Sequence, residues 1–274
     1  MDVFFKRNGA HSFTATQHTS GAWNPEEQHI SPTLGLITHI IESDAQARGH
    51  DHLQVSRISF DIYGVVPIAT YDYSVEVLRP GRTIELVEVL LTYGGRVIVR
   101  ARAWLTLEVE TASLASSPFP ELTPLEDMEE FAGSSVWPGD YITTLRAYRH
   151  QFEPGRAHFW LASTVDLANE PTSQFAKSAA LFDTANGMSV REDPRKVAYP
   201  NVELTVTYIR KPHAPVPGVQ PQPVPQDPVG LPWQAGDVSV SFGPTGLGTT
   251  HTVWHDAYGP FAVVTQSLTV RPLR

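Results

Sequence analysis

The chain has no cysteine. That excludes disulfide staples, a thiolate nucleophile and any cysteine-ligated metal. Basic residues are scarce too. Twenty Lys and Arg stand against 29 Asp and Glu, a formal net charge of −9. No Lys/Arg cluster interrupts this acidic balance, so a nucleic-acid surface is disfavoured. No apolar run approaches the roughly 20 residues of a membrane-spanning helix. The first ten residues, MDVFFKRNGA, lack the apolar core of a signal peptide. No Gly-x-Ser-x-Gly elbow is present, which argues against a serine hydrolase of the α/β type. The lone Gly246-Leu247-Gly248 reads as turn punctuation rather than a phosphate loop. His50-Asp51-His52 has no third ligand at metal spacing and reads as a solvated loop. What is left is a soluble, cytoplasmic protein that needs no metal and no organic cofactor.

The chain does have a repeat. The apolar segment Pro32 to Gly49 is followed by strand-like runs, and Thr172 to Met188 is followed by the same kind of runs. His39 and Asp183 take equivalent places in the two segments, and so do Arg57 and Asn201, both pairs 144 residues apart. Each copy ends in a Gly-marked hairpin, Tyr93-Gly94-Gly95 and Tyr258-Gly259-Pro260. Duplicated modules need not keep the same chemistry.

Apolar residues lie all round both helical segments, as in helices enclosed by protein. In the first copy, strands are expected at 56–63, 67–78, 82–92 and 96–109, after a short one within 3–16. The last of these places Val97, Val99, Ala101, Ala103 and Leu105 on one face and Arg96, Arg100 and Arg102 on the other, so it is half-exposed. In the second copy, strands are expected near 157–167, 201–210, 236–243, 249–257 and 261–271. Asn186-Gly187 marks the expected end of the second helix. Proline at eight positions between 212 and 232 rules out a sheet interior there, so that stretch is expected as an extended surface loop. One enclosed helix followed by an antiparallel meander, present twice, predicts an α+β double hotdog. Each half would wrap a sheet around its own helix, and the sheets would join edge to edge. The expected units are 1–110 and 151–274, with residues 111–150 as the linker between them.

The stretches WNPEEQHISPTLGLITHIIE, FDIYGVVPIATYDYSVEVLRPGRTIELVEVLL, PNVELTVTYIRKP and FAVVTQSLTVRP resemble the acyl-CoA thioesterase II family, closest to its actinobacterial-type branch. The likeness leaves out the linker and the Pro-rich loop. It implies a double hotdog that hydrolyses acyl-CoA thioesters in lipid metabolism. The family's catalytic Asp falls on Asp183 and its Gln on Gln266. Its polar strand residue, a Thr in bacterial enzymes, falls on Asn201. A second departure is His29-Ile30-Ser31-Pro32, where this branch has Gly-Gly before Pro. In the implied mechanism Asp183 accepts a proton from water while Gln266 and Asn201 hold that water in line. Acyl-CoA is then the substrate partner, and a homo-oligomer formed by sheets back to back is compatible with the fold.

The residues can also be read without the resemblance. Gln266 falls on one strand face with Ala262, Val264, Leu268 and Val270, where a buried amide needs partners. Asp183 lies in an apolar segment, where burial without a cation raises a carboxyl pKa towards that of a general base. Taken singly, each has an ordinary structural reading: a helix carboxyl bonded to a neighbour, a sheet amide, and a turn residue after Pro200 for Asn201. Strict alternation leaves the direction of Asn201 open. The first copy has His39, Arg57 and Ala101 at the matching places, a set that cannot activate water in the same way, so that copy is expected to be structural or to line the acyl pocket. A non-catalytic acyl-CoA or lipid-binding double hotdog is the alternative.

Overall fold

A computed structural model describes residues 2–273. The first half comprises β1 (Val3–Gly9), β2 (Ser12–Ala15), α1 (Ile30–Ala47), β3 (Leu53–Ile62), β4 (Thr70–Arg79), β5 (Ile84–Tyr93) and β6 (Arg96–Leu107). The connection holds β7 (Glu129–Glu130) and α2 (Asp140–Thr143). The second half comprises β8 (Leu145–Glu153), β9 (Arg156–Ser163), β10 (Asp166–Ala168), α3 (Gln174–Ala179), α4 (Ala185–Ser189), β11 (Val197–Ala198), β12 (Asn201–Tyr208), β13 (Gln234–Phe242), β14 (Leu247–Asp256), β15 (Gly259–Thr269) and β16 (Arg271–Pro272).

All but β11 and β16 join one sheet of 14 strands, and those two form a small ribbon of their own. Read outward from the central β3–β12 pair, the order is β6-β5-β4-β2-β1 on one side and β15-β14-β13-β9-β8 on the other. The strand order is thus the same in both halves. At the seam Phe60 lies opposite Leu204. These two residues are 144 apart, the offset of the repeat, so the duplication places its own pseudo-two-fold through this pair. The expected edge-to-edge double hotdog is the fold. Gly94 and Gly95, at φ +56° and +75°, close the β5–β6 hairpin with the two-residue turn that needs left-handed backbone at both positions.

β6 buries Val99, Ala101, Ala103 and Leu105, while the outward-facing Arg100 pairs with Glu88 at 2.6 Å. α1 buries thirteen of its residues, from Ile30 to Ala45, and is enclosed as its composition requires. Gly35 marks where it meets the second helical segment. A Cβ there would lie 2.7 Å from both the Ala176 carbonyl oxygen and the Ala180 methyl. Gly35→Val is therefore expected to destabilise the protein by about 1–3 kcal/mol through overpacking against backbone. An unchanged urea midpoint would show that the two helices are free to move apart.

Three expectations differ from the structure. β8 lies across the boundary placed at 150 and pairs along β9. Its sequence, LRAYRHQFE, shows no sustained apolar alternation, with only Ala147 fully buried. The linker and the Pro-rich stretch are not merely exposed connections. Leu122 and Met128 of the linker, Val224 and Leu231 of the Pro-rich stretch and the adjoining Trp233 pack on Trp160, Ala162 and Ala235, outward-facing residues of β9 and β13. Asp227 organises the Pro-rich stretch by accepting from the Trp233 indole N–H at 2.9 Å and the Leu231 backbone N–H. The signal lies in the run Phe159-Trp160-Leu161-Ala162, which is apolar on both faces and so requires cover on both. The outer face of β9 and β13 is thus covered by the chain itself. Finally, the second helix does not end at Asn186-Gly187. Both lie within α4, which stops at Val190 with φ +28°. Gly187 is small because a Cβ would come 3.1 Å from the Trp137 indole nitrogen.

Candidate active site

The second central helix is broken where the first is continuous. α3 ends at Ala179, a single tight turn spans Phe182–Thr184, and α4 follows. Backbone groups released by such a break need other partners. Side chains from three elements supply them. The Tyr141 hydroxyl of α2 donates to the Ala180 carbonyl at 2.6 Å. The Asp183 N–H donates to Ser31 Oγ of α1 at 3.2 Å. The Gln266 amide of β15 donates to the Phe182 carbonyl at 3.4 Å. Asp183 is thus presented on a turn held from both halves of the molecule.

Asn201 faces it, with Nδ2 donating to Asp183 Oδ1 at 2.6 Å. Alternation left the direction of Asn201 open, and a bulge resolves it. The register of β12 against β15 slips between Asn201 and Glu203, which frees the first residue of the strand from the two-residue period. His29, the N-cap of α1, closes the other side. Its Nδ1 lies 3.4 Å from Asp183 Oδ2 and accepts the Ser31 N–H at 3.2 Å, and its ring stacks on Tyr141 at 4.6 Å. Burial pushes Asp183 up to about 8, with the Asn201 hydrogen bond acting the other way. Burial lowers His29 to about 3. Burial thus favours the neutral form of both groups.

The three residues expected at the site divide. Asp183 and Asn201 meet and line one cavity of about 810 Å³, together with His29. Gln266 does not line it. Its amide lies one residue back, on the Phe182 carbonyl, and its Oε1 is buried without a protein partner among the described residues. The water-holding role expected of Gln266 has no direct geometric basis, whereas a role in holding the Asp183 turn does. His29 is the residue that sequence reasoning missed. The His29–Pro32 loop stood out as a departure, but nothing local shows that its imidazole faces a carboxyl 154 positions away.

The cavity has two kinds of wall. Ile142, Ala147, Leu161 and Met188 form a buried apolar one, while Trp23, Tyr63, Arg195 and Arg271 stand at the exposed end. In the first copy the equivalent place is filled by polar contacts. His39 Nε2 lies 2.5 Å from Glu170 Oε1, and Glu170 is held in turn by Arg7 at 2.6 and 2.7 Å. Nearby, Ser173 Oγ donates to Glu42 at 2.5 Å, and burial raises Glu42 to about 7. Elsewhere, His50 bonds the buried Glu85 and His52 bonds the Arg82 carbonyl. Those two histidines are engaged in separate contacts rather than facing a common ion.

Residues 19–106 match the family model of the acyl-CoA thioesterase N-terminal domain. Comparison with curated proteins finds no match. Among solved structures, a hotdog-fold protein of unknown function from Alicyclobacillus acidocaldarius superimposes with a TM-score of 0.72 at 14% identity, covering 98% of this chain and 96% of that one. An acyl-CoA thioesterase II from Mycobacterium marinum superimposes with a TM-score of 0.65 at 14% identity, again over 98% and 96% of the two chains. At that identity the structures establish the fold. With the domain match, the resemblance to the acyl-CoA thioesterase II-like double-hotdog family holds.

Proposed function

We propose that this chain, whose residues 19–106 match the acyl-CoA thioesterase N-terminal domain, hydrolyses acyl-CoA thioesters with Asp183 as general base. The observation that carries the reading is the Asp183–Asn201 pair at 2.6 Å on the wall of a cavity with one apolar and one exposed end. The acyl chain would lie along Ile142, Leu161 and Met188, with the thioester carbonyl beside Asp183. The ionised carboxylate takes a proton from water, and the water oxygen bonds to the carbonyl carbon. The C–S bond then breaks, and the leaving thiolate takes the proton back from Asp183. Asn201 holds Oδ1, so the carboxyl keeps one orientation through the cycle. The α1 N-terminus, at His29 and Ile30, lines the same cavity and directs the positive end of its dipole there, where an oxyanion develops.

A second reading, an acyl-CoA-binding module without turnover, is favoured by one observation. Of the backbone donors at the start of α1, the Ser31 N–H is taken by His29, and Pro32 has none. Incubation with acyl-CoA thioesters of graded chain length and a thiol reagent separates the two. Release of free CoA is the expected result, and saturable binding without release would overturn hydrolysis. Asn201→Ala should lower kcat about 10- to 100-fold, the worth of one hydrogen bond to a charged group. Gln266→Ala should cost less, because its amide acts through the Phe182 carbonyl. A loss as large as that of Asn201→Ala would assign the Gln266 amide to the reacting water instead.

A further inference from the structure

The apolar wall of the cavity stops at a charged side chain. β8 meets the cavity through Ala147, beside Leu161 of β9 and Phe131 of the connection. The Phe131 N–H donates to the Ala147 carbonyl at 2.8 Å, so the ring stands at the edge of the sheet. Alternation along β8 then puts Arg149 and Gln151 on the same face as Ala147. Neither of them lines the cavity. Both bind the last carbonyls of α4, which have no partner within the helix. The Arg149 guanidinium donates to Met188 at 3.1 Å, and the Gln151 amide donates to Ser189 and Val190. The same guanidinium lies over the Phe131 ring, 3.7 Å from its centroid. Phe131 and Met188 do line the cavity. Arg149 therefore touches two pieces of the wall from behind and ties them together.

The repeat shows that this place need not hold a charge. The β8–β9 hairpin pairs Gln151 with Ala157 and Glu153 with Arg156, with a register slip between them. The β1–β2 hairpin pairs Arg7 with Phe13 and Gly9 with Ser12, with the same slip. Every one of these positions is 144 residues from its counterpart. On that offset Arg149 stands where the first copy buries Phe5 completely. A ring in the first copy is thus replaced by a guanidinium in the copy that carries Asp183.

We propose that Arg149, tied to Phe131 and Met188, sets the upper limit on the length of acyl chain that the cavity accepts. This rests on the reading that the acyl group lies along Ile142, Leu161 and Met188. A methylene that leaves water for apolar surroundings gains about four-fold in binding. It gains nothing against a guanidinium, which stays charged and would have to give up its carbonyl and its ring to make room. Chain length is then limited by a contact between β8, α4 and the segment that joins the two copies. Phe131 of that segment has no counterpart in the repeat.

The test uses the full chain and straight, saturated acyl-CoA thioesters of graded length, with log kcat/KM plotted against the number of carbons. In the parent the plot should climb and then break where the chain end meets Arg149. Arg149→Met keeps an apolar stem on Phe131 and removes the charge. The break should move to longer chains, and kcat/KM just beyond the parent's break should rise about 10-fold relative to shorter chains. Arg149→Lys keeps a charge at the same place and should leave the break where it is. A residue that merely holds the fold acts on every chain length alike. An unmoved break in Arg149→Met, whatever the overall activity, would therefore overturn the proposal. Should Arg149→Met not fold, Arg149→Gln keeps a donor for the Met188 carbonyl without the charge and is read in the same way. The break is also read without turnover, from the Kd of the same acyl-CoA series measured by titration calorimetry on Asp183→Asn with and without Arg149→Met. Binding with a break that moves, but no release of CoA by the parent, would sink the hydrolytic reading and keep this one. Release of CoA with a break that does not move would do the reverse.

Discussion

Asp183→Asn is expected to lower acyl-CoA turnover by about 10²–10⁴-fold, the usual contribution of a positioned general base, and at the same time to stabilise the fold at alkaline pH. Both effects come from one fact: burial raises this carboxyl to about 8. In the unfolded chain an aspartate titrates near 4. Below that pH both states hold the proton, and the group has no effect on stability. Between about 4 and 8 only the unfolded chain releases it, so stability falls as pH rises through this window and the loss is complete above it. A gap of that size corresponds to several kcal/mol. An amide does not titrate. It would still offer an oxygen to Asn201. The stability gap between Asp183→Asn and the parent should therefore widen from pH 5 to pH 8 in urea unfolding. The parent's kcat/KM should rise with pH through about 8 as the carboxylate forms. Full turnover in the variant would remove Asp183 from the chemistry. A gap that stays constant with pH would mean that the carboxyl is already ionised in the folded protein.

Arg210→Met should cost about 3–5 kcal/mol, the penalty for leaving a buried charge without its partner. Asp256 is fully buried and binds Arg210 with both oxygens, at 2.5 and 2.9 Å. It also accepts the backbone N–H groups of His213 at 2.6 Å and Tyr258 at 2.8 Å. Arg210 donates further to the Gly259 carbonyl at 2.7 Å. This network fastens the start of the Pro-rich stretch, where His213 sits at φ +58°, to the β14–β15 turn. An Arg at a strand end is open to a phosphate only where no carboxylate already holds it. This one is already committed to Asp256. The double variant Arg210→Met, Asp256→Leu should recover part of the loss, since removing both charges leaves no orphan. A single variant as stable as the parent in urea would show that water reaches Asp256 when the guanidinium leaves.

Particular residues show where sequence reasoning stopped at the site. The family resemblance puts Asp183 and Asn201 in one site, and the two side chains are hydrogen-bonded. Gln266 was right as a buried amide on an apolar face but was expected at the reacting water, and it bonds the Phe182 carbonyl. The difference is one residue along a tight turn. It could not be foreseen, because the apolar pattern of residues 172–188 does not reveal that the helix breaks. His29 was noticed as an anomaly of its loop rather than as a neighbour of the carboxyl. The expected linker runs to 150 and so takes in Leu145 to His150 of β8, a strand whose sequence shows no sustained apolar alternation.

By itself the sequence determined the double hotdog, its duplication, the enclosed first helix, and the hairpin turns at Gly94-Gly95 and Gly259. Those features rest on local rules: the period of apolar residues, the missing donor of proline, the left-handed freedom of glycine. Only the tertiary structure decided which way Asn201 points, where the second helix opens, and what stands against Asp183. Each of these depends on a bond between residues distant in the chain, Ser31 with Asp183, Tyr141 with Ala180, Gln266 with Phe182. No periodicity encodes such a meeting, because it exists only once the two halves have closed on one another.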